Sequence, residues 1–157
     1  MLSFALKYLH IIGASVLLGT GAGIAFFMLL AHRTGEAHTV AAVARIVVIA
    51  DVLFTATAVV AQPITGVLLA RAAGHSLTDG WIVLSTLLYL LTGAFWLPVV
   101  WMQMRMRDLA AAAARESCPL PPEYHRLFRL WSAFGIPAFT AVLAIFWLMI
   151  ARPRIGW

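Results

Sequence analysis

One histidine interrupts an otherwise apolar stretch near the start of the chain, KYLHIIGASV, and it is the residue best suited to chemistry. A neutral imidazole is a good ligand for haem iron or copper, and it can also carry protons. The alternative is a structural histidine that is hydrogen-bonded to a neighbouring helix, through a side chain such as Gln62, Tyr89 or Ser85. Both interpretations of His10 predict that it faces other helices.

A haem held between two imidazoles would need a second histidine at the depth of His10. His75, in the short segment AAGHSLTDG, is the nearest histidine by depth and is the second candidate ligand. His32 and His125 lie toward the opposite face of the membrane. His10 and His32 are about 33 Å apart along an ideal helix, so they cannot bind the same iron.

The composition is that of a membrane protein. Of the 157 residues, 63% are hydrophobic and 11% are charged, and the mean hydropathy is +0.95. A soluble domain is about 45–50% apolar and about 25% charged. The net charge of +5 comes from basic residues at the ends of apolar runs, which suits lipid headgroups and excludes nucleic acid as the partner.

Four apolar stretches are long enough to cross the bilayer, because a helix needs about 20 such residues to do so. Short polar segments join them, which predicts an all-α fold: an up-down-up-down bundle of four transmembrane helices. We expect one domain, residues 1–157. Its spans are about 4–31, 46–70, 81–104 and 127–151.

The distribution of basic residues predicts the orientation. Seven arginines belong to the two loops that follow the first and third spans: Arg33, Arg45, Arg105, Arg107, Arg115, Arg126 and Arg129. Four basic residues belong to the opposite side: Lys7, Arg71, Arg152 and Arg154. The excess predicts that both termini lie outside.

Helical periodicity places the polar residues of the second and third spans on one stripe each, facing the bundle interior. The stripes are Asp51, Thr55, Gln62 and Thr65, and Ser85, Tyr89, Thr92, Trp96 and Gln103. Asp51 is the only carboxylate inside a predicted span. It is interpreted either as an acid near the membrane surface, paired with Arg45 or another loop arginine, or as a group that handles protons or contacts a substrate.

Two further patterns concern packing and anchoring. Ser15, Gly19 and Gly23 recur every four residues on one face of the first span, which is typical of close helix packing in membranes. Tryptophans near predicted span ends are interpreted as interfacial anchors. These are Trp81, Trp101, Trp131 and Trp157.

Several chemistries are excluded by their missing motifs. The single cysteine, Cys118, cannot form an internal disulfide and is not part of a motif that attaches c-type haem. Neither HExxH nor GxSxG is present, and serine, histidine and aspartate lack convergent spacing. These absences argue against a hydrolase.

Four segments together resemble an uncharacterised bacterial family of four-span proteins, domain-of-unknown-function family 2269. They are LKYLHIIGASVLLGTGAGIAFFMLLAHR, AQPITGVLLA, GAFWLPVVWMQMRMRDLA and YHRLFRLWSAFGIPAFTAVLAIFWLMIARP. The similarity covers nearly the whole chain. It implies a multi-pass protein of the bacterial inner membrane and brings no established activity.

More distantly, the pattern is similar to the HemJ-type protoporphyrinogen oxidases and to CopD-like copper-resistance proteins. Leu9 and His10 match the Leu-His that opens the first helix of the HemJ type, and His32 matches its closing histidine. The resemblance implies haem b on His10. The chain departs from the Trp-x-His-x-Lys pattern of that type, because Val83 and Ser85 replace the histidine and lysine.

Two hypotheses of function follow. The first is a small membrane redox protein that binds haem b through His10, with His75 as the weaker candidate ligand. The second is a non-enzymatic partner subunit or small carrier without a cofactor, in which Asp51, Gln62 and Tyr89 provide interior polarity. The expected partners are the lipid bilayer and either a second copy of the chain or a membrane redox protein.

Overall fold

The computed structural model describes residues 2–155, so the predicted anchor Trp157 lies outside the described residues. Within this range the chain forms α-helices joined by short loops, one π-helical turn and no strands. The elements are α1 (Leu2–Thr34), α2 (Ala37–Ala50), the π turn (Asp51–Thr55), α3 (Ala56–Ala72), α4 (Gly80–Arg115) and α5 (Pro122–Ala151).

The predicted all-α membrane fold is confirmed. Four helical stretches are long and apolar enough to cross a membrane: Ser3–Thr34, Ala37–Ala72, Gly80–Arg115 and Pro122–Ala151. The second of these is α2, the π turn and α3 in sequence. At about 1.5 Å per residue, the 36 residues of α4 extend over about 54 Å, well beyond a hydrocarbon core of about 30 Å. The helices therefore continue past the apolar runs from which the spans were predicted.

Sequence neighbours pack side by side, as expected of an up-down-up-down bundle. α1 packs along α2 and α3, α2 packs against α4, and α4 packs most extensively against α5, while α1 and α5 touch only lightly. We call the end that holds the α1–α2 and α4–α5 loops the arginine-rich end, and the end near both chain termini the terminal end.

The hydrophobic core lies in the half of the bundle toward the arginine-rich end. Its fully buried side chains come from all four spans: Met28, Val40, Ala44, Met106, Ala110 and Tyr124. Alanines on α2 and α4 let these helices approach closely, which strengthens the van der Waals packing on which membrane helices depend. Few side chains are buried in the other half, among them Ala58, Ala70, Ala141 and Leu148. The bundle is thus tightly packed at one end and loosely packed at the other.

Trp131 is not the interfacial anchor that its position near a predicted span end suggested. Its side chain is only 7% exposed, and its Nε1 donates a hydrogen bond of 3.1 Å to Oε1 of Gln103. The reason is that Trp131, nine residues after α5 begins at Pro122, lies on the face of α5 that packs against α4. Trp101, in contrast, is largely exposed on α4.

Candidate functional site

His10 lies between α1 and α3 in the terminal half of the bundle. Its side chain is half-buried, and its Nδ1 is 2.9 Å from Oγ1 of Thr65 on α3. The ring lies against Gly66, where an added Cβ would be 3.2 Å from His10 Cε1. The glycine therefore leaves the room that the imidazole occupies, since any larger residue would crowd the ring.

The hydrogen bonds of Thr65 favour one tautomer of His10. The Thr65 hydroxyl is 2.8 Å from the backbone carbonyl of Ala61, and it has a single proton to donate to it. When the proton goes to Ala61, the Thr65 oxygen accepts the proton of His10 Nδ1. The neutral imidazole consequently keeps its free lone pair on Nε2, which is the nitrogen available to bind a metal or accept a proton.

Gln62 adds a second hydrogen bond between α3 and α1, to the backbone of His10. This buried residue donates from Nε2 to the carbonyl oxygen of His10 over 3.0 Å. Gly13 makes the contact possible, because a Cβ at that position would overlap Gln62 Nε2. Of the hydrogen-bond partners predicted for the His10 ring, none is used. The partner is Thr65, which the sequence placed on the same stripe as Gln62.

Tyr89 and Ser85 serve other contacts. The Tyr89 hydroxyl donates to the backbone carbonyl of Val59 and so links α4 to α3. The buried Ser85 hydroxyl bonds to the carbonyl of Trp81 one turn earlier in its own helix, over 2.7 Å. Neither side chain reaches His10 by a hydrogen bond. Of the residues on the two predicted polar stripes, only Gln62 and Thr65 are hydrogen-bonded to His10.

Asp51 is the only buried carboxyl among the described residues, with 5% of its surface exposed. Trp96 Nε1 on α4 donates to its Oδ1 over 3.4 Å. The interpretation that pairs Asp51 with an arginine is wrong: the ion pairs found in the described part join other residues, and Arg45 points outward. The second span begins at Ala37 rather than near Ile46, so Asp51 lies 14 residues into it.

His75 lies at the terminal end, in the loop between α3 and α4. Its Nδ1 is 3.4 Å from Asp79 Oδ2, and its ring meets Trp81 edge-on at 5.3 Å. The Arg152 guanidinium lies 5.8 Å from the centre of the same indole. No hydrogen bond or ring contact of the described residues joins His75 to His10. The structure thus places the second candidate ligand in a separate cluster.

A second histidine cluster, which the sequence did not predict, occupies the arginine-rich end. The His32 ring stacks on Phe128 with centroids 3.7 Å apart and planes 8° from parallel, and His125 and Tyr124 flank it. His32 Nδ1 and the Tyr124 hydroxyl are buried without a hydrogen-bond partner. No local pattern could have revealed a stack between residues of the first and last helices.

The metal-binding capacity of the described residues is limited. Among them, no three histidine, cysteine, aspartate or glutamate side chains lie close enough to hold a metal ion together. Cys118 is exposed in the loop before α5. The site around His10 offers one imidazole rather than a cage of several ligands for a bare ion.

Comparison with known proteins agrees with this architecture. A family model described as "Predicted integral membrane protein (DUF2269)" matches residues 4–153. No curated protein and no solved structure matches the chain. The more distant likeness to the HemJ and CopD families therefore stays a prediction. Since the match extends over nearly all of the sequence, the chain belongs to the DUF2269 family of integral membrane proteins.

Proposed function

We propose that this integral membrane protein binds haem b through Nε2 of His10 and serves in electron transfer. The observation that supports the proposal is the hydrogen bond between His10 Nδ1 and Thr65 Oγ1: when Nδ1 is the donor, Nε2 keeps its lone pair. Histidines that ligate metals usually donate their other ring proton in this way, because the bond fixes the tautomer and the ring orientation. When bound, haem would supply a carrier of single electrons.

The residues around His10 fit one side of a haem iron. Gly66 and Gly13 keep α1 and α3 close enough for Thr65 and Gln62 to hold the histidine from its ring and from its backbone. Among the described residues, no second histidine makes a hydrogen bond or ring contact with His10. We therefore propose that each chain supplies a single axial ligand, and that His75 is not one.

The absorption spectrum of the protein tests this proposal directly. The protein would be produced in haem-replete cells, purified in a mild detergent and assayed as the pyridine haemochrome. We expect the haem b signature at up to one haem per chain, with bands that shift on reduction by dithionite. Colourless protein that also fails to take up added haemin would overturn the proposal.

The alternative is a partner subunit or small carrier without a cofactor, and the outward face of α1 favours the subunit. Ser15 and Gly19 are exposed, and a Cβ at Gly19 would meet no other atom within 4 Å. The small residues predicted to pack helices are therefore not used within one chain. They are free to receive a helix of a second copy or of a membrane redox partner.

Replacing Gly19 with leucine tests this alternative. If the small-residue face mediates association, Gly19→Leu should lower the oligomeric fraction in native mass spectrometry from lipid nanodiscs by about tenfold, the effect of about 1.4 kcal/mol. Gly93→Leu on α4 is the matched control, because Gly93 also has no atom near its missing Cβ. A wild-type protein that is strictly monomeric would contradict the alternative.

We further propose that the protein resides in the bacterial inner membrane with both termini outside. The seven arginines at one end of the bundle, against four basic residues at the other, support this orientation. Fusion of alkaline phosphatase to the C-terminus should give an active enzyme, whereas fusion within the loop after Arg115 should not. The reverse pattern would mean that both termini lie inside, and it would not bear on the fold.

A further inference from the structure

Asp51 lies deep within the membrane-crossing part of the bundle. The carboxyl is hydrogen-bonded to Trp96, so it lies level with this residue of α4. Trp96 comes nine residues before Arg105. Nine residues correspond to about 13 Å of helix, so the carboxyl lies well inside the ring of arginines that marks one membrane surface. It also lies at the boundary between the tightly and the loosely packed halves of the bundle.

No positive charge faces this carboxyl from any element that packs against it. In α1 the residues from Ile11 to Ala31 include no charged or titratable side chain, and neither does α3 before Arg71. In α4 the facing group is Trp96, and the nearest titratable residue is Tyr89, whose hydroxyl is bonded to α3. In α2 the nearest charge is Arg45, which is exposed.

The backbone and a second polar group are also unusual at this point. Asp51 and Thr55 are the first and last residues of the π turn, and both side chains are buried. The Thr55 hydroxyl lies beside the Asp51 carboxyl but makes no hydrogen bond of normal geometry. A π turn inside an α-helix is rare and is often found at functional sites. Here an acid without a counter-ion and a buried hydroxyl share one helix face.

We propose that Asp51 is a proton-binding site within the membrane. An ionised carboxylate without a counter-ion is strongly disfavoured in a medium of low dielectric constant, whereas the neutral acid is tolerated when its polar atoms are hydrogen-bonded. In the protonated state the carboxyl O–H donates to Oγ1 of Thr55, and Trp96 Nε1 donates to the other carboxyl oxygen. Release of the proton leaves a carboxylate that can accept hydrogen bonds from Trp96 Nε1 and the Thr55 hydroxyl but has no positive charge beside it.

Infrared spectroscopy of the purified protein tests this proposal with or without haem. At neutral pH we expect the C=O stretching band of a protonated carboxylic acid, which shifts in D2O and disappears in Asp51→Asn. Thr55→Val should move the band to higher wavenumber, because the acid loses its hydrogen-bond acceptor. Asp108→Asn is the matched control, since Asp108 is exposed and paired with Arg107, and it should leave the band intact.

Modification by dicyclohexylcarbodiimide gives a second readout that does not depend on the spectrum. The reagent adds the O–H of a protonated carboxylic acid across one of its C=N bonds and rearranges to a stable N-acylurea, with no oxidant or reductant needed. Mass spectrometry should find one adduct on Asp51, at least tenfold less when the pH is raised until the infrared band is lost. Absence of the band in folded wild-type protein, or a band and adduct that survive in Asp51→Asn, would overturn the proposal.

Discussion

Replacing His10 with alanine should leave the purified protein with less than about one hundredth of the wild-type haem affinity. The expectation follows from the single oriented imidazole: its Nδ1 is bonded to Thr65, and no other histidine of the described residues contacts the site. Loss of the only ligand from the chain removes the iron–nitrogen bond, whereas changes to a ligand's hydrogen-bond partner cost about 10–100-fold. Titration of the apoprotein with haemin would measure both effects.

Two matched variants make this result specific. His75→Ala should keep wild-type affinity, because His75 pairs with Asp79 and Trp81 at the terminal end. Thr65→Val keeps the shape of the side chain but removes the acceptor of the Nδ1 proton. It should therefore lower the affinity for haem by about 10–100-fold. Equal haem content in His10→Ala and wild-type protein of equal helicity would contradict His10 as the ligand.

The Trp131→Ala substitution should lower the free energy of unfolding by about 3–5 kcal/mol, the usual range for truncating a buried aromatic side chain. The indole lies in the packed half of the bundle, where α4 and α5 meet along their most extensive interface. Gln103 is 1% exposed, and its Nε2 already lacks a hydrogen-bond partner. The change would also remove the partner of its Oε1, so that neither polar atom of the buried amide is hydrogen-bonded. Equilibrium unfolding in mixed micelles would measure the loss.

Trp147→Ala is the control for this experiment. Trp147 belongs to the same helix and is 60% exposed, so its truncation should change the unfolding free energy by about 0.5 kcal/mol or less. Trp131→Phe should fall between the two, since it keeps a ring in the core and gives up the hydrogen bond to Gln103. Equal effects of Trp131→Ala and Trp147→Ala would mean that Trp131 faces lipid, as its position in the sequence suggested.

Hydropathy predicts the four spans well because lipid requires long apolar helices, yet it misplaces their ends. Backbone hydrogen bonds continue through small and polar residues, so α2 begins at Ala37 and α5 at Pro122, several residues before the apolar runs. Closeness to a span end also does not tell which way a side chain faces. Asp51 and Trp131 lie near ends of the predicted spans, and both are buried within the bundle.

The stripes of polar residues predict which side chains turn inward but not which of them meet. Contact between helices depends on their axial offset and rotation, and neither is encoded by a period within one helix. The ring of His10 therefore bonds to Thr65 rather than to Gln62, Tyr89 or Ser85, although Thr65 and Gln62 share a stripe. The stack of His32 on Phe128 was missed for the same reason.

The π turn also determines how sensitive the His10 site is to changes in chain length. Its hydrogen bonds close over five residues instead of four, so the turn holds one residue more than an α-helical turn would. Deletion of one residue between Asp51 and Thr55 would remove the extra residue and restore a regular helix, so α3 would keep nearly the same rotation relative to α2. Thr65 and Gln62 would still face α1. Deletion of one residue between Ala56 and Ala61, where the helix is regular, would instead rotate both side chains by about 100° and turn them away from His10. The π turn is thus the part of this span in which the loss of a residue leaves the His10 site intact.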